Sequence, residues 1–198
     1  MKERFEWIHS WCDETQNTDL PRVLLVGDSI TLGYQEKVRQ KLKGVCYVDF
    51  ISCSYAIDTK IYNDLVYRFA ADSEYRLIHF NHGLHGQHMT KRTYLSKMKK
   101  LSEKLSAKSR IVFVTSTVVF AEGNVRLDKV WTKKLKERND AVKELAALRG
   151  DGVDDLYAVS VNIPKEYRNM DGTHYTDEGY EIFASAVAEC IRSDIGKG

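Results

Sequence analysis

The chain has 198 residues, with 30 basic and 28 acidic side chains, for a formal net charge of +2. That length fits a single domain over residues 1–198, with residues 1–20 as a lead-in, and the near-cancelling charge supplies no field that would draw nucleic acid or a membrane surface as partner. Met1–Glu6 contains no apolar secretory core and no run approaches a membrane span, so a cytoplasmic location is expected.

Residues 3–15 read as a short amphipathic helix, with Phe5, Ile8 and Trp11 on one stripe. Val23-Leu24-Leu25-Val26 then reads as a strand buried on both faces. Gly27 permits a tight turn, and Asp28 and Ser29 are good helix-starting residues. A helix over 30–43 ends at Gly44, and Val45–Ile51 forms a second strand. Thr59–Ala71 is expected to be helical, with Ile61, Leu65 and Phe69 on its apolar stripe. Arg76–Phe80 is a third strand, a histidine-rich turn follows it, and residues 90–106 form the next helix. Arg110–Thr117 is a fourth strand, 118–128 is irregular, and the longest helix, about 129–148, stops at Gly150. Asp155–Val161 is read as a fifth strand, 162–175 as a loop, and Thr176–Ile191 as a closing helix capped by Thr176.

Buried strands alternating with helices predict an α/β protein with a parallel sheet covered on both faces. Right-handed crossovers make that a three-layer α/β/α sandwich, flavodoxin-like, of about five strands in the order 2-1-3-4-5. The switch point of that order lies beside the first strand, next to Ser29, where ligands bind in open α/β sheets. The four cysteines, Cys12, Cys46, Cys53 and Cys190, form no Cys-x-x-Cys pair and are expected to be free thiols.

A hydroxyl at the carboxyl end of a central strand becomes a nucleophile only with a base and a group that orients the base. Of the six histidines, His9 falls on the N-terminal helix and His79 within the third strand, pointing into packing. His174 stands in Met170-Asp171-Gly172-Thr173-His174, a polar loop just before a helix. A carboxylate three residues ahead can turn back onto Nδ1–H and leave Nε2 free to take a proton.

Gly27-Asp28-Ser29 after the first strand, joined with Asp171-x-x-His174 before the last helix, resembles the SGNH hydrolases, also called GDSL-type esterases. The resemblance spans residues 22–192. It implies that Ser29 is the nucleophile, His174 the general base and then acid, and Asp171 its orienter. It also implies an oxyanion hole made of the Ser29 N–H, a backbone N–H after the second strand and an asparagine side chain after the third.

The chain departs from the family at the last two places. Ser52–Thr59 holds no glycine, and Ser54, Ala56 and Ile57 each offer a backbone donor. After the third strand the text is Asn81-His82-Gly83-Leu84-His85-Gly86, so Asn81 is the expected side-chain donor with His85 as substitute. Asp28 and His85 are the expected substrate contacts. Asn139, within the long helix, resembles a structural asparagine of the family.

His82, His85 and His88 recur every three residues and offer a rival reading as a metallohydrolase. Gly83 and Gly86 make that segment a loop with no enforced ligand geometry, so no metal and no cofactor is expected. A catalytically silent binding module on the same fold would require a broken triad, whereas every triad residue type is present. The expected activity is hydrolysis of a short-chain ester, acetyl in the first instance, on a small molecule, with an acetylated sugar as first choice. A thioesterase or lysophospholipase of the same family is the alternative.

Overall fold

The computed structural model describes residues 4–196. Its centre is β2 (Arg22–Gly27), flanked by β3 (Tyr47–Cys53) and β4 (Leu77–Phe80), with β5 (Arg110–Val114) and β6 (Gly152–Asp154) beyond β4. These five strands run parallel, and taken in chain order they follow the expected 2-1-3-4-5 arrangement. The register places Val26 beside Ile51 on one side and beside Phe80 on the other, so three strand ends meet around Gly27.

The β2 residues divide between the two cores. Val23 and Leu25 join Tyr34, Val38, Phe183 and Val187 from α1 (Ser29–Lys41) and α6 (Asp177–Ile195). Leu24 and Val26 face the opposite way, onto Tyr62 and Val66 of α2 (Lys60–Ala71), Met98 of α3 (Lys91–Leu105) and Val142 of α4 (Lys129–Arg149). All four are at most 1% exposed, and each such burial contributes on the order of 1.5–3 kcal/mol. The sandwich therefore has three layers, as the unbroken apolar run demands.

A sixth strand corrects the expected amphipathic helix at the N-terminus. β1 (Ile8–Trp11) lies antiparallel on the outer edge of β3, with Ile8 opposite Cys53 and Trp11 opposite Phe50. Every β1 residue is exposed. The strand wins because the edge of β3 would otherwise present unpaired backbone groups, a larger effect than a stripe of three apolar residues on a helix with no core beneath it. Trp11 packs instead beneath the Arg39 guanidinium, 4.6 Å from its ring centre. Residues 1–3, the start of the lead-in, lie outside the described residues.

Asp155–Val161 is also corrected. Leu156–Val161 is a helix, α5, and the fifth parallel strand is the short Gly152–Asp154 ahead of it. Asp155 decides the change: its Oδ1 accepts from the Ala158 N–H at 3.4 Å and from the Thr115 hydroxyl at 2.7 Å, starting a helix despite the β-branched residues that follow. In α2 the buried face is rotated by one position from expectation. Tyr62 and Val66 are buried, Leu65 and Phe69 pack at the margin, and Ile61 is 43% exposed.

Helix α1 ends at Lys41 with Leu42 as its C-cap, short of the expected stop at Gly44, whereas two later signals hold. Thr176 caps α6 and Gly150, at φ 71°, ends α4. All four cysteines are free thiols, and burial pushes Cys46 up to about 11 and Cys53 to about 12. Among the described residues no helix is long and apolar enough to cross a membrane.

Candidate active site

The chain leaves β2 through Gly27, where an added Cβ would lie 1.9 Å from the Thr31 hydroxyl. That close approach lets α1 start immediately above the strand. Asp28 is its N-cap, with Oδ1 accepting from the Ile30 N–H at 3.0 Å. Asp28 is only 1% exposed, which corrects its expected contact with substrate: the carboxylate is buried and holds the helix start. Ser29 is the first residue of α1, so its N–H has no acceptor within the helix and sits at the positive end of the helix dipole.

His174 reaches this point from the opposite end of the chain. Its Nε2 is 2.8 Å from the Ser29 Oγ, and its Nδ1 is 2.7 Å from Asp171 Oδ2. The other Asp171 oxygen accepts from the Thr173 and His174 N–H groups at 2.8 and 2.9 Å. Burial works to raise the Asp171 pKa. The two backbone donors and the imidazole outweigh it and hold the carboxyl below its ordinary value. The triad-like row is open to solvent, with the Asp171 side chain half exposed and His174 about a third exposed.

Two sets of contacts bring these residues together. Within the 168–175 loop, the Asn169 N–H donates to the His174 carbonyl at 2.9 Å and the Gly172 N–H to the Asn169 carbonyl at 3.1 Å. Gly172 has φ 76°, and a Cβ there would fall 2.2 Å from the Phe120 carbonyl oxygen, so the loop needs glycine at that point. The Phe120 N–H donates to the Gly172 carbonyl at 2.7 Å, and the Arg168 guanidinium covers the Phe120 ring at 3.9 Å. Beyond the loop, α6 packs against α1. Tyr180 fills the space beside Gly33, and Lys37 pairs with Asp177 at 2.8 Å.

The other side of Ser29 is formed by the loops after β3 and β4. Asn81 follows β4 directly, and its N–H donates to the Val26 carbonyl at 2.9 Å, fixing it beside the end of β2. Its Nδ2 donates to the Thr115 carbonyl at 3.3 Å, which sets the orientation of the amide and leaves the second Nδ2 hydrogen uncommitted by that bond. In the β3–α2 loop, the Ser54 N–H donates to the Trp7 carbonyl at 3.2 Å. Ser54 is thereby removed as an oxyanion donor, and Ala56 and Ile57 remain. Both are buried, and the Ala56 Cβ lies against Gly86 of the neighbouring loop.

The histidines separate. His79 is fully buried with Nε2 2.9 Å from Asp154 Oδ2, a polar partnership where simple packing was expected. His9 lies on β1, not on a helix. His82 is buried against Tyr62, with ring centres 4.3 Å apart, and carries the half-buried His85 stacked on it at 5.7 Å. Burial, reinforced by His85, drives the His82 pKa well below the ordinary histidine value. His88 turns away, its Nε2 2.7 Å from Asp58 Oδ2. Among the described residues no group of three or more His, Cys, Asp or Glu side chains is arranged to hold a metal ion.

Asn139 holds the adjoining end of β5. Its Oδ1 accepts from the Ser116 N–H at 2.9 Å and its Nδ2 donates to the Ser116 carbonyl at 3.0 Å. Its neighbour Arg138 was not singled out by sequence reasoning. Arg138 is 1% exposed and donates to the carbonyls of Gly83, His85 and Gly86 at 2.6, 3.0 and 2.7 Å. A signal existed: Arg138 and Asn139 fall on the same helical stripe as Leu135, Val142 and Leu145, where polar residues demand buried partners.

No family model and no curated protein matches the chain. Solved structures do. A lipase/acylhydrolase from Enterococcus faecalis aligns at 18% identity over 87% of this chain and 96% of its own, with a TM-score of 0.67. The aryl esterase of M. smegmatis aligns at 16% identity over 87% and 99%, with a TM-score of 0.72. The C-terminal catalytic domain of peptidoglycan O-acetyltransferase A from Streptococcus pneumoniae aligns at 14% identity over 89% and 96%, with a TM-score of 0.68. At such identities the likeness is one of fold. The fold is that of the SGNH, or GDSL-like, hydrolases, with one extra antiparallel strand at the edge relative to the five expected.

Proposed function

We propose that the protein is a serine esterase that hydrolyses short acyl esters through an acyl-enzyme, with Ser29 as nucleophile, His174 as general base and acid, and Asp171 as orienter. The observation that carries the reading is the His174 ring, bonded through Nε2 to the Ser29 hydroxyl at 2.8 Å and through Nδ1 to Asp171 at 2.7 Å. In this scheme the Ser29 Oγ attacks the ester carbonyl while His174 Nε2 accepts its proton. Asp171 stabilises the imidazolium without taking that proton. The tetrahedral oxyanion is met by the Ser29 N–H, a backbone N–H of Ala56 or Ile57, and the Asn81 amide. The C–O bond then breaks, the alcohol leaves with the proton from His174, and water repeats the sequence to release the acid. Neither a metal nor a cofactor takes part.

A short acyl group, acetyl in the first instance, suits a half-buried serine beside a solvent-open histidine and aspartate better than a long chain that needs a covered channel. One structural neighbour is named as a peptidoglycan O-acetyltransferase and another as an aryl esterase, which supports small-molecule or carbohydrate-borne esters as the class to test. An acetylated sugar is the substrate we infer.

The test is labelling with a fluorophosphonate probe, followed by mapping of the modified residue and assay of p-nitrophenyl esters. Modification at Ser29, loss of turnover in Ser29→Ala and a preference for C2 over C8 chains are the expected results. Turnover unchanged in Ser29→Ala would refute the assignment. A preference for C8 or longer would replace the acetyl reading with the lipid one.

A further inference from the structure

The least expected charge in the molecule is Arg138, a guanidinium on α4 withdrawn almost wholly from water. Among the described residues, none of the hydrogen bonds or ion pairs it makes goes to a carboxylate. Its partners are three carbonyls within four residues, those of Gly83, His85 and Gly86, and its guanidinium lies 4.9 Å from the centre of the Tyr94 ring. Burial lowers its pKa, yet an arginine remains charged at any ordinary pH. A fold that keeps such a charge inside, across 52 to 55 residues of chain, directs it at one short loop.

That loop borders the nucleophile on one side. It starts at Asn81, whose N–H is bonded to Val26 three residues before Ser29. It also touches the other donor loop. At Gly86, with φ 72°, an added Cβ would lie 2.9 Å from the Ala56 Cβ, so the two backbones meet almost without intervening side chain. Gly83 is equally tight, because a Cβ there would fall 1.6 Å from the Ser116 Oγ. Bulk cannot hold the loop at either glycine; the carbonyls are the handles available, and a planar fork with several N–H groups can hold three of them at once.

We infer that Arg138 is a positioning residue for the oxyanion side of the site, fixing the Asn81–Gly86 loop against Ala56 so that donors from both loops converge near Ser29. The inference rests on the esterase reading above. It makes Arg138 responsible for the stabilisation of the tetrahedral state and gives it no part in the proton transfer at His174. Lysine carries the same charge but cannot span three carbonyls, so charge alone does not replace it.

The experiment compares parent, Arg138→Lys, Arg138→Met and Arg138→Ala proteins on p-nitrophenyl acetate, with rates expressed per active site titrated by fluorophosphonate. The expected result is a fall in kcat of at least 10-fold in Arg138→Met and a smaller fall in Arg138→Lys. KM should change less than 3-fold, and the pH at which kcat/KM falls on the acid side should stay where the parent has it. Guanidinium ion added to Arg138→Ala should restore part of kcat. If Arg138→Met folds poorly, Arg138→Lys and the rescued Arg138→Ala carry the test. A parent-like rate per titrated site in the substituted proteins overturns the inference and leaves Arg138 as a core residue. An unlabelled and inactive parent protein sinks the esterase reading itself, a result distinguishable from the other because no variant is needed to obtain it.

Discussion

The two sides of Ser29 are built by different means. On the His174 side the decisive contacts are local. Asp171 accepts from Thr173 and His174 and grips the imidazole, all within three residues of chain. On the Asn81 side almost nothing is local. Asn81 bonds to Thr115, Asn139 to Ser116, and Arg138 to Gly83, His85 and Gly86, at separations of 23 to 55 residues. A short loop can preset an acid–base pair by its own turn chemistry. A pocket for an oxyanion has to be assembled from several strand ends, and its precision depends on distant helices.

The largest effect expected from this contrast is at Asp171. Replacing it by asparagine keeps the shape of the turn but offers an amide where the imidazole N–H needs an acceptor, and favours the wrong tautomer. A loss in kcat on the order of 10⁴-fold is expected for Asp171→Asn, measured by steady-state hydrolysis of p-nitrophenyl acetate, with thermal stability close to the parent. A fall below 10-fold would mean that His174 is oriented by something other than Asp171.

Asn81→Ala probes the opposite side and should cost less, on the order of 10²–10³ in kcat, the loss typical when one of several oxyanion donors is removed, as the proposed scheme has it. The same variant should leave the acid limb of the kcat/KM profile unmoved. Equal losses from Asp171→Asn and Asn81→Ala, with a shifted acid limb in both, would erase the distinction between the two sides.

The contrast also explains what could be read from the sequence. Val23–Val26, the Gly27 turn and the capped closing helix depend on near neighbours, so the parallel order and the position of Ser29 were legible. The Asp171–His174 turn was legible for the same reason. The N-terminal segment was not, because the strand Ile8–Trp11 exists to cover the edge of β3, more than 35 residues away. Asp155–Val161 misled because β-branched residues suggest a strand, whereas the cap at Asp155 answers to Thr115, just past the end of β5. Asp28 was given to substrate because its type and place allow either role; only its burial separates a cap from a contact. Arg138 escaped because its place on the apolar stripe of α4 implies a buried partner without saying that the partner is three carbonyls of a distant loop.

Asn139→Ala should be felt in stability before chemistry. It strands the Ser116 N–H and carbonyl in the interior, and an unsatisfied buried polar group costs about 1–3 kcal/mol. Urea denaturation should show a lower midpoint at constant slope. The rate per titrated site should drop only modestly, since Asn81 and Arg138 still hold the loop. A midpoint unchanged from the parent would show that the pairing is dispensable for the end of β5.

The smallest effect is expected at His88, which separates the histidine-rich loop from the chemistry. His88 is partly exposed and bonds Asp58, and such a pair contributes about 0–1 kcal/mol. Burial tends to raise the Asp58 pKa, but the hydrogen bond and charge of His88, with a backbone donor, outweigh it and hold the carboxyl below its ordinary 3.8. A depressed carboxylate pKa stabilises the fold above that ordinary value, and the contribution is lost as the pH falls through the lower folded value. His88→Ala should therefore lower the thermal midpoint slightly at pH 5, by less at high salt, and the gap to the parent should close as the pH drops below 3.8. Turnover should be unaffected. A large loss of turnover in His88→Ala that zinc does not restore, together with a parent activity removed by a chelator and recovered with zinc, would put the three histidines at the centre of the reaction and displace Ser29 from it.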